Sequence, residues 1–332
     1  MTDRYPQLLR TPGRRWWKPL LGLLLAALTL VLASVVVVLA AAAVGALVGV
    51  EDPFSDESLS ADTPLGLVAN NLAIAMIVPS VLLAVFLVHR ERIGWLSSVV
   101  ARLRWGLLGR LFVVALGLVL VFFAATFLVP PVGFGDVDVP STGRLVALFA
   151  VILLSTPLQA AAEEYGFRGY LTQALCSWFA RPGVGTVVAA LVTAFLFALA
   201  HGAQDPWLFS DRFAFGLVAS WLAWRTGGLE AAIALHVANN LVSLGYSATT
   251  GTLSESLTAS SLDWEYAVLD VAMMLVFAVI VHRLADRWKV QVRRVVGRPE
   301  TPEAATAGPG FLSGPPAVGY PDARSDSHWG MG

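Results

Sequence analysis

Leu20–Val50 reads LLGLLLAALTLVLASVVVVLAAAAVGALVGV, thirty-one consecutive residues without an Asp, Glu, Lys or Arg. An α-helix rises about 1.5 Å per residue and a bilayer core is about 30 Å thick, so about 20 such residues cross it. Arg10, Arg14, Arg15 and Lys18 precede the run in the manner of a secretory leader. Its length exceeds the short apolar region of a cleaved signal, so it reads as a retained first span with Trp16 and Trp17 at the interface.

Outward from this run the same texture recurs. Of 332 residues, 57% are apolar and 14% charged, and the mean hydropathy is +0.71; a soluble domain carries roughly a quarter charged residues. Apolar blocks bounded by charge or by Pro and Gly fall near 20–49, 66–88, 107–129, 144–163, 184–201, 210–225, 229–247 and 264–282. In lipid each segment must satisfy its own backbone hydrogen bonds, which selects helices. The expected fold is an all-α, polytopic membrane bundle of about eight transmembrane helices.

The connectors predict orientation. Arg4, Arg10, Arg14, Arg15 and Lys18 precede the first block, whereas Glu51, Asp52, Asp56, Glu57 and Asp62 follow it. Arg90, Arg92, Arg102 and Arg104 fill the second connector, Asp136 and Asp138 the third, and Glu255 and Asp263 the seventh. Arg283, Arg287, Lys289, Arg293, Arg294 and Arg298 follow the last block. Basic connectors stay on the cytoplasmic side, which predicts a multi-pass protein of the cell (inner) membrane with both termini cytoplasmic.

Ile93–Trp105 mixes apolar residues with arginines and reads equally as an amphipathic interfacial helix or as a solvated connector. From about Arg298 the chain is rich in Pro, Gly, Ala and Ser, a composition that predicts disorder. The expected organisation is a basic tail over 1–19, accessory spans over 20–143, a core over 144–247 in helices four to seven, a loop and last span over 248–283, and a tail over 284–332. A net charge of -1 leaves no basic field for nucleic acid. The expected partners are the lipid bilayer and a membrane protein or peptide. Cys176 is the only cysteine, which excludes an intrachain disulfide and Cys-rich zinc spacings; it reads as a small packing residue.

Ionisable groups inside a span cost about 2.5 kcal/mol or more each, so they mark functional candidates. Glu163, Glu164 and Arg168 occur as E-E-Y-G-F-R, His201 ends F-A-L-A-H, and His236 and Asn240 occur as H-V-A-N-N. Glu164 and Arg168 stand four apart on one helical face, whereas Glu163 is turned about 100° away, free to face a cavity. His236 and Asn240 likewise share a face. Glu163 lies nineteen residues before Pro182 and His201 nineteen after it, so antiparallel helical arms would bring them to one height. Loop charges, however, put Glu163 near the cytoplasmic end of its span, and an upright helix from Val184 carries His201 about 27 Å across. The segment from Glu164 to Ala180 is therefore expected to stay partly within the bilayer or to tilt.

These residue types suit water activation. A carboxylate sheltered from water acts as a general base near neutral pH, a neighbouring imidazole orients the same water or protonates the leaving amine, and a second imidazole and an amide are donors for an oxyanion. No nucleophilic Ser or Cys is evidently paired with them. Two histidines and a carboxylate also match a zinc site with water as fourth ligand, with Glu163, His201 and His236 as its candidates. The absence of H-E-x-x-H favours metal-free catalysis, so no cofactor is assigned and zinc stands as the alternative. Each element also has a plain reading: a surface ion pair, an interfacial histidine, interhelical hydrogen bonding. His89 and His282 read as interfacial, His328 as part of the tail, and Arg225 as the mark of a cytoplasmic turn.

At these residues the sequence resembles the CAAX protease and bacteriocin-processing (CPBP, also Abi) family, whose marks are E-E-x-x-x-R, F-x-x-x-H and H-x-x-x-N/D in successive core helices. All three occur in order, at Glu163, Glu164 and Arg168, at Phe197 and His201, and at His236 and Asn240. The resemblance covers roughly 144–247. It implies a membrane-embedded endopeptidase of CAAX-prenyl-protease type, labelled a metalloprotease by some accounts and a metal-independent glutamate protease by others. It makes Glu163 and His201 the water-activating pair, His236 and Asn240 the oxyanion donors, and Glu164 with Arg168 a supporting pair. The competing expectations are a non-catalytic binding or immunity protein using the same polar cluster, and a transporter with a proton relay.

Overall fold

The computed structural model describes residues 2–50, 52–55, 57–128 and 139–295. Glu51, Asp56, Asp136, Asp138 and everything from residue 296 onward, including Arg298 and His328, lie outside the described residues. Within them the chain forms eight helical rods. The first is α1 (Lys18–Leu47); the second joins α2 (Pro64–Ala75), α3 (Ile77–Ala84) and a π turn (Val85–His89); the third is α4 (Trp105–Thr126). The fourth runs through α5 (Thr142–Glu164), a π segment (Tyr165–Leu171) and α6 (Thr172–Ser177). Then follow α7 (Pro182–Leu199), α8 (Pro206–Thr226), α9 (Glu230–Thr250), a short α10 (Leu253–Leu257) and α11 (Trp264–Arg287).

Six of the rods are long and apolar enough to cross a membrane, which makes this a multi-pass membrane protein. The other two, α8 and α9, are more polar because they form the interior: every residue from Glu230 to Ala238 is buried. Their core contacts come from Phe197, Phe215, Leu235, Met273 and Phe277. At the lipid-facing periphery α1 exposes Leu24, Val31, Leu32 and Val36 and buries only small residues and Pro19. Gly22 is one contact point: a Cβ there would lie 1.9 Å from Tyr170 Oη. Small residues let helix backbones approach where lipid offers no hydrophobic drive.

Helix ends follow local chemistry. Pro64, Pro182 and Pro206 open their helices, and Thr63 and Asp205 accept from the backbone N–H of Gly66 and Leu208. The turn between α8 and α9 needs a left-handed residue, met by Gly227 at φ 70°.

Charge separates the two ends of the bundle. At one end Lys18 donates to the His89 carbonyl (3.4 Å), Arg10 to that of Ala180 (3.0 Å), Arg225 pairs with Asp286 (2.6 Å) and Arg104 with Glu230 (2.6 Å). At the other, Arg144 meets Asp62 (3.3 Å) and Asp205 accepts from the Leu262 N–H (3.3 Å).

Several connectors differ from expectation. The first residues are folded rather than trailing: β1 (Thr2–Arg4) pairs antiparallel with β2 (Arg293–Val295), and Tyr5, Leu8 and Leu9 are buried. Tyr5 donates its hydroxyl to the Leu96 carbonyl, and burial pushes its phenol well above the ordinary range, so it stays a donor. Ile93–Trp105 is neither an interfacial helix nor a solvated loop. It forms a 3-10 turn (Ile93–Leu96) and then caps the α8–α9 turn, with Val99 N–H donating to Gly227 O (2.8 Å) and Leu229 N–H to Ser97 O (3.0 Å). Hydrogen bonds to this turn hold its middle, Leu96–Val99, buried against the bundle. His89 is buried against Tyr170 (3.1 Å), whereas His282 is half-exposed and accepts from Arg225 (2.8 Å); Cys176 is a buried free thiol.

Candidate active site

The fourth apolar block does not stop at residue 163. Its rod continues from Thr142 to Ser177, which puts Glu163 about 21 Å from the α6 end. His201 lies about 28 Å along the returning α7 direction from Pro182. The depth conflict posed by a helix ending at residue 163 is thereby removed, because Glu164–Ser177 remains inside the bundle. The rod tolerates this because its charged residues there are paired: Glu164 and Arg168 are both fully buried and 3.1 Å apart. The π segment begins immediately after Glu164, and such widened turns recur at functional sites.

Glu164 Oε1 accepts from Arg168 Nη1 (3.1 Å) and stands 2.9 Å from His236 Nδ1 on α9. The other nitrogen of His236, Nε2, lies 3.6 Å from Glu163 Oε2. Glu163 Oε1 in turn accepts from Gln159 Nε2 (2.6 Å), and Gln159 Oε1 accepts from Asn240 Nδ2 (3.3 Å). Helices α5 and α9 are therefore stitched by two parallel links, Glu164 to His236 and Gln159 to Asn240. Glu163 lies between them.

Aromatic rings seal the cluster on the α7 and α8 side. Phe197 and Phe215 stack at 5.5 Å; the Arg168 guanidinium lies 4.1 Å from the Phe197 centroid, and Phe215 meets the His236 ring edge-on at 4.9 Å. His201 does not join the network directly. Its Nδ1 is 2.8 Å from the Phe197 carbonyl, its ring packs against Phe197 at 4.7 Å, and the residue is exposed. Among charged groups Glu163 acts most strongly on His201, ahead of Arg212 and His236, and no hydrogen bond joins the two.

Several polar atoms in the cluster are buried without a hydrogen-bond partner: Glu163 Oε2, Glu164 Oε2, and Nε and Nη2 of Arg168. Beside the cluster, a cleft of about 230 Å³ is lined by Asn239, Ser243, Tyr246, Asp270 and Met273, among others. It follows the α9 face next to Asn240 and does not include Glu163.

Sequence reading brought out Glu163, Glu164, Arg168, His201, His236 and Asn240, but missed Gln159. The available signal was its spacing, four residues before Glu163 in an apolar helix. It also passed over Asp211 and Asp270, polar residues of α8 and α11 within the bundle, and the Arg104–Glu230 pair at the α9 N-terminus.

Residues 145–242 match the family described as Type II CAAX prenyl endopeptidase Rce1-like. Over this stretch the chain is similar to that family, in support of the resemblance to CPBP proteins. The matched stretch contains α5 from its first turn through the middle of α9, and with it all six expected site residues. Among curated proteins, "Uncharacterized protein YyaK" of Bacillus subtilis (strain 168) is 24% identical over 192 residues, 56% of this chain and 62% of that protein. The chain thus spans about three fifths of the length of the curated relative it matches. No solved structure matches.

A zinc site does not fit the donors present. Among the described residues no three His, Cys, Asp or Glu side chains converge to hold a metal ion. His236 Nδ1 is engaged with Glu164 and His201 Nδ1 with a carbonyl, which leaves Nε2 of each ring as the nitrogen turned to the site. A catalytic zinc takes three protein ligands within about 2.2 Å, so no step below runs through a metal.

Proposed function

We propose that the protein is an intramembrane endopeptidase of CAAX-prenyl-protease type that hydrolyses a peptide bond with water activated by Glu163. One observation carries this reading: Glu163 Oε1 is anchored by Gln159, while Oε2 is buried, unpartnered and directed toward the Nε2 edge of His236. A carboxylate oxygen held this way accepts a proton from a water placed between it and His201. Contacts across more than 3.5 Å in a polar pocket are commonly bridged by such a water.

The remaining groups take definite roles. Glu163 removes a proton from the water as its oxygen attacks the scissile carbonyl carbon, and the C=O electrons move onto the oxygen. With His236 held at Nδ1 by Glu164, its Nε2 edge is a donor whenever it carries a proton, and Asn240 has a second N–H beyond that given to Gln159. Both are suited to the oxyanion. Collapse of the intermediate breaks the C–N bond, and the proton held by Glu163, or one from His201, passes to the leaving amine. The basic end of the bundle is the cytoplasmic one, in the cell membrane, and the substrate is a membrane protein or peptide.

The test compares membrane proteomes from cells carrying wild-type protein and Glu163→Gln, followed by cleavage of the shortened candidates in liposomes containing the purified chain. Loss of all cleavage in a Glu163→Gln protein that melts within about 1 kcal/mol of wild type is expected, with wild-type activity persisting in chelator. Cleavage that survives Glu163→Gln would sink the assignment of the base. Partner binding without any Glu163-dependent cleavage favours the non-catalytic binding protein.

A further inference from the structure

Among the described residues, the Gln159 side chain and His236 are the polar bridges between Glu163 and α9. Its position four residues before Glu163 puts it on the same face of α5, one turn away. The amide has two inequivalent ends, and both are used. Its N–H donates to Glu163 Oε1 at 2.6 Å, and its carbonyl accepts from Asn240 at 3.3 Å. Because a carboxylate can only accept, Glu163 fixes which end of the Gln159 amide it meets, and the carbonyl at the other end is taken up by Asn240. If the amide turned over, its carbonyl would meet the carboxylate and its N–H₂ would meet the Asn240 N–H₂. Gln159 is itself buried, with 9% exposed.

We infer that Gln159 is a positioning residue for the base: it holds Glu163 by one oxygen, so that the other is presented toward His236, and it makes that geometry depend on α9. The side chain touches no reacting atom. It acts through Glu163, and Asn240 acts through it in addition to facing the oxyanion. A rotation about the terminal torsion of Glu163 costs little in a free side chain, since that torsion is broad. A single short charge-assisted bond at Oε1 removes the freedom. This deepens the protease reading and rests on it for its kinetic consequence, whereas the restraint on Glu163 stands on the contacts alone.

Gln159→Met keeps length and volume and removes both hydrogen bonds. Two measurements on the full chain in liposomes are made side by side. The first is kcat and KM on a quenched fluorescent peptide ending in a prenylated CAAX sequence, the substrate class named in the family description. The second is the extent of labelling of Glu163 by a hydrophobic carbodiimide at pH 7, mapped by mass spectrometry. Gln159→Met is expected to lower kcat about 10- to 100-fold with KM within about twofold, the fold-change of one lost hydrogen bond to a charged group. It is expected to raise labelling of Glu163 severalfold at an unchanged melting temperature. Wild-type kcat and wild-type labelling in Gln159→Met would overturn the inference, as would a fall in melting temperature large enough to account for both. If wild type cleaves nothing while the labelling still rises, the positioning role holds and the protease reading fails.

Discussion

Replacing Arg168 by Met isolates what the buried charge contributes. Arg168 and Glu164 are each fully buried and 3.1 Å apart, and the guanidinium lies over Phe197 at 4.1 Å and near Phe215 at 5.4 Å. Met fills the aromatic pocket with an apolar, adaptable chain, so packing changes little. The dominant effect is electrostatic: Glu164 loses its full counter-charge, and removing one member of a buried pair costs about 3–5 kcal/mol. The lost contact with the Phe197 face falls within the same range. The expected loss for Arg168→Met is therefore about 4 kcal/mol. Adding Glu164→Gln removes the stranded carboxylate while its amide oxygen still accepts from His236, so the double variant should recover about half of that loss. Equilibrium unfolding of the four proteins of this cycle in one detergent measures the coupling. A loss below about 1 kcal/mol in Arg168→Met, or a double variant no more stable than the single, would refute the account of the pair as mutually dependent.

Two further outcomes follow from packing. Gly22→Ala puts a Cβ 1.9 Å from Tyr170 Oη and 3.2 Å from His89 Nε2, and is expected to cost about 1–3 kcal/mol in thermal unfolding; Tyr170→Phe in the same chain removes the struck oxygen and should restore part of it. Tyr5→Phe leaves the buried Leu96 carbonyl unpaired and is expected to cost about 1–2 kcal/mol, whereas a segment that merely trailed from α1 would show no change in denaturant midpoint.

The membrane character was legible because it depends on composition over long windows. Leu20–Val50 is apolar all round, and α1 accordingly exposes most of its large side chains. Loop charge was legible for the same reason: the rods alternate in direction, so connectors of one sign gather at one end. Boundaries were less so at the fourth rod, where Glu163, Glu164 and Arg168 read as an exit into water. Inside the bundle the same residues satisfy one another, and the helix runs on to Ser177. A charge pattern alone cannot distinguish an exposed ion pair from a buried one.

Residue types and spacing in the sequence established the membrane bundle and the set Glu163, Glu164, Arg168, His201, His236 and Asn240, since intramembrane polar groups are expensive enough to stand out singly. Partnership was decided only by the tertiary structure. It put His236, rather than His201, against both glutamates, brought Gln159 between Glu163 and Asn240, and folded Tyr5 beneath Leu96. The physical reason is that helical spacing fixes which side chains share a face of one helix, but the register and rotation of α9 against α5 come from packing summed over the whole bundle. Which donor meets which acceptor depends on that packing, and no local pattern records it.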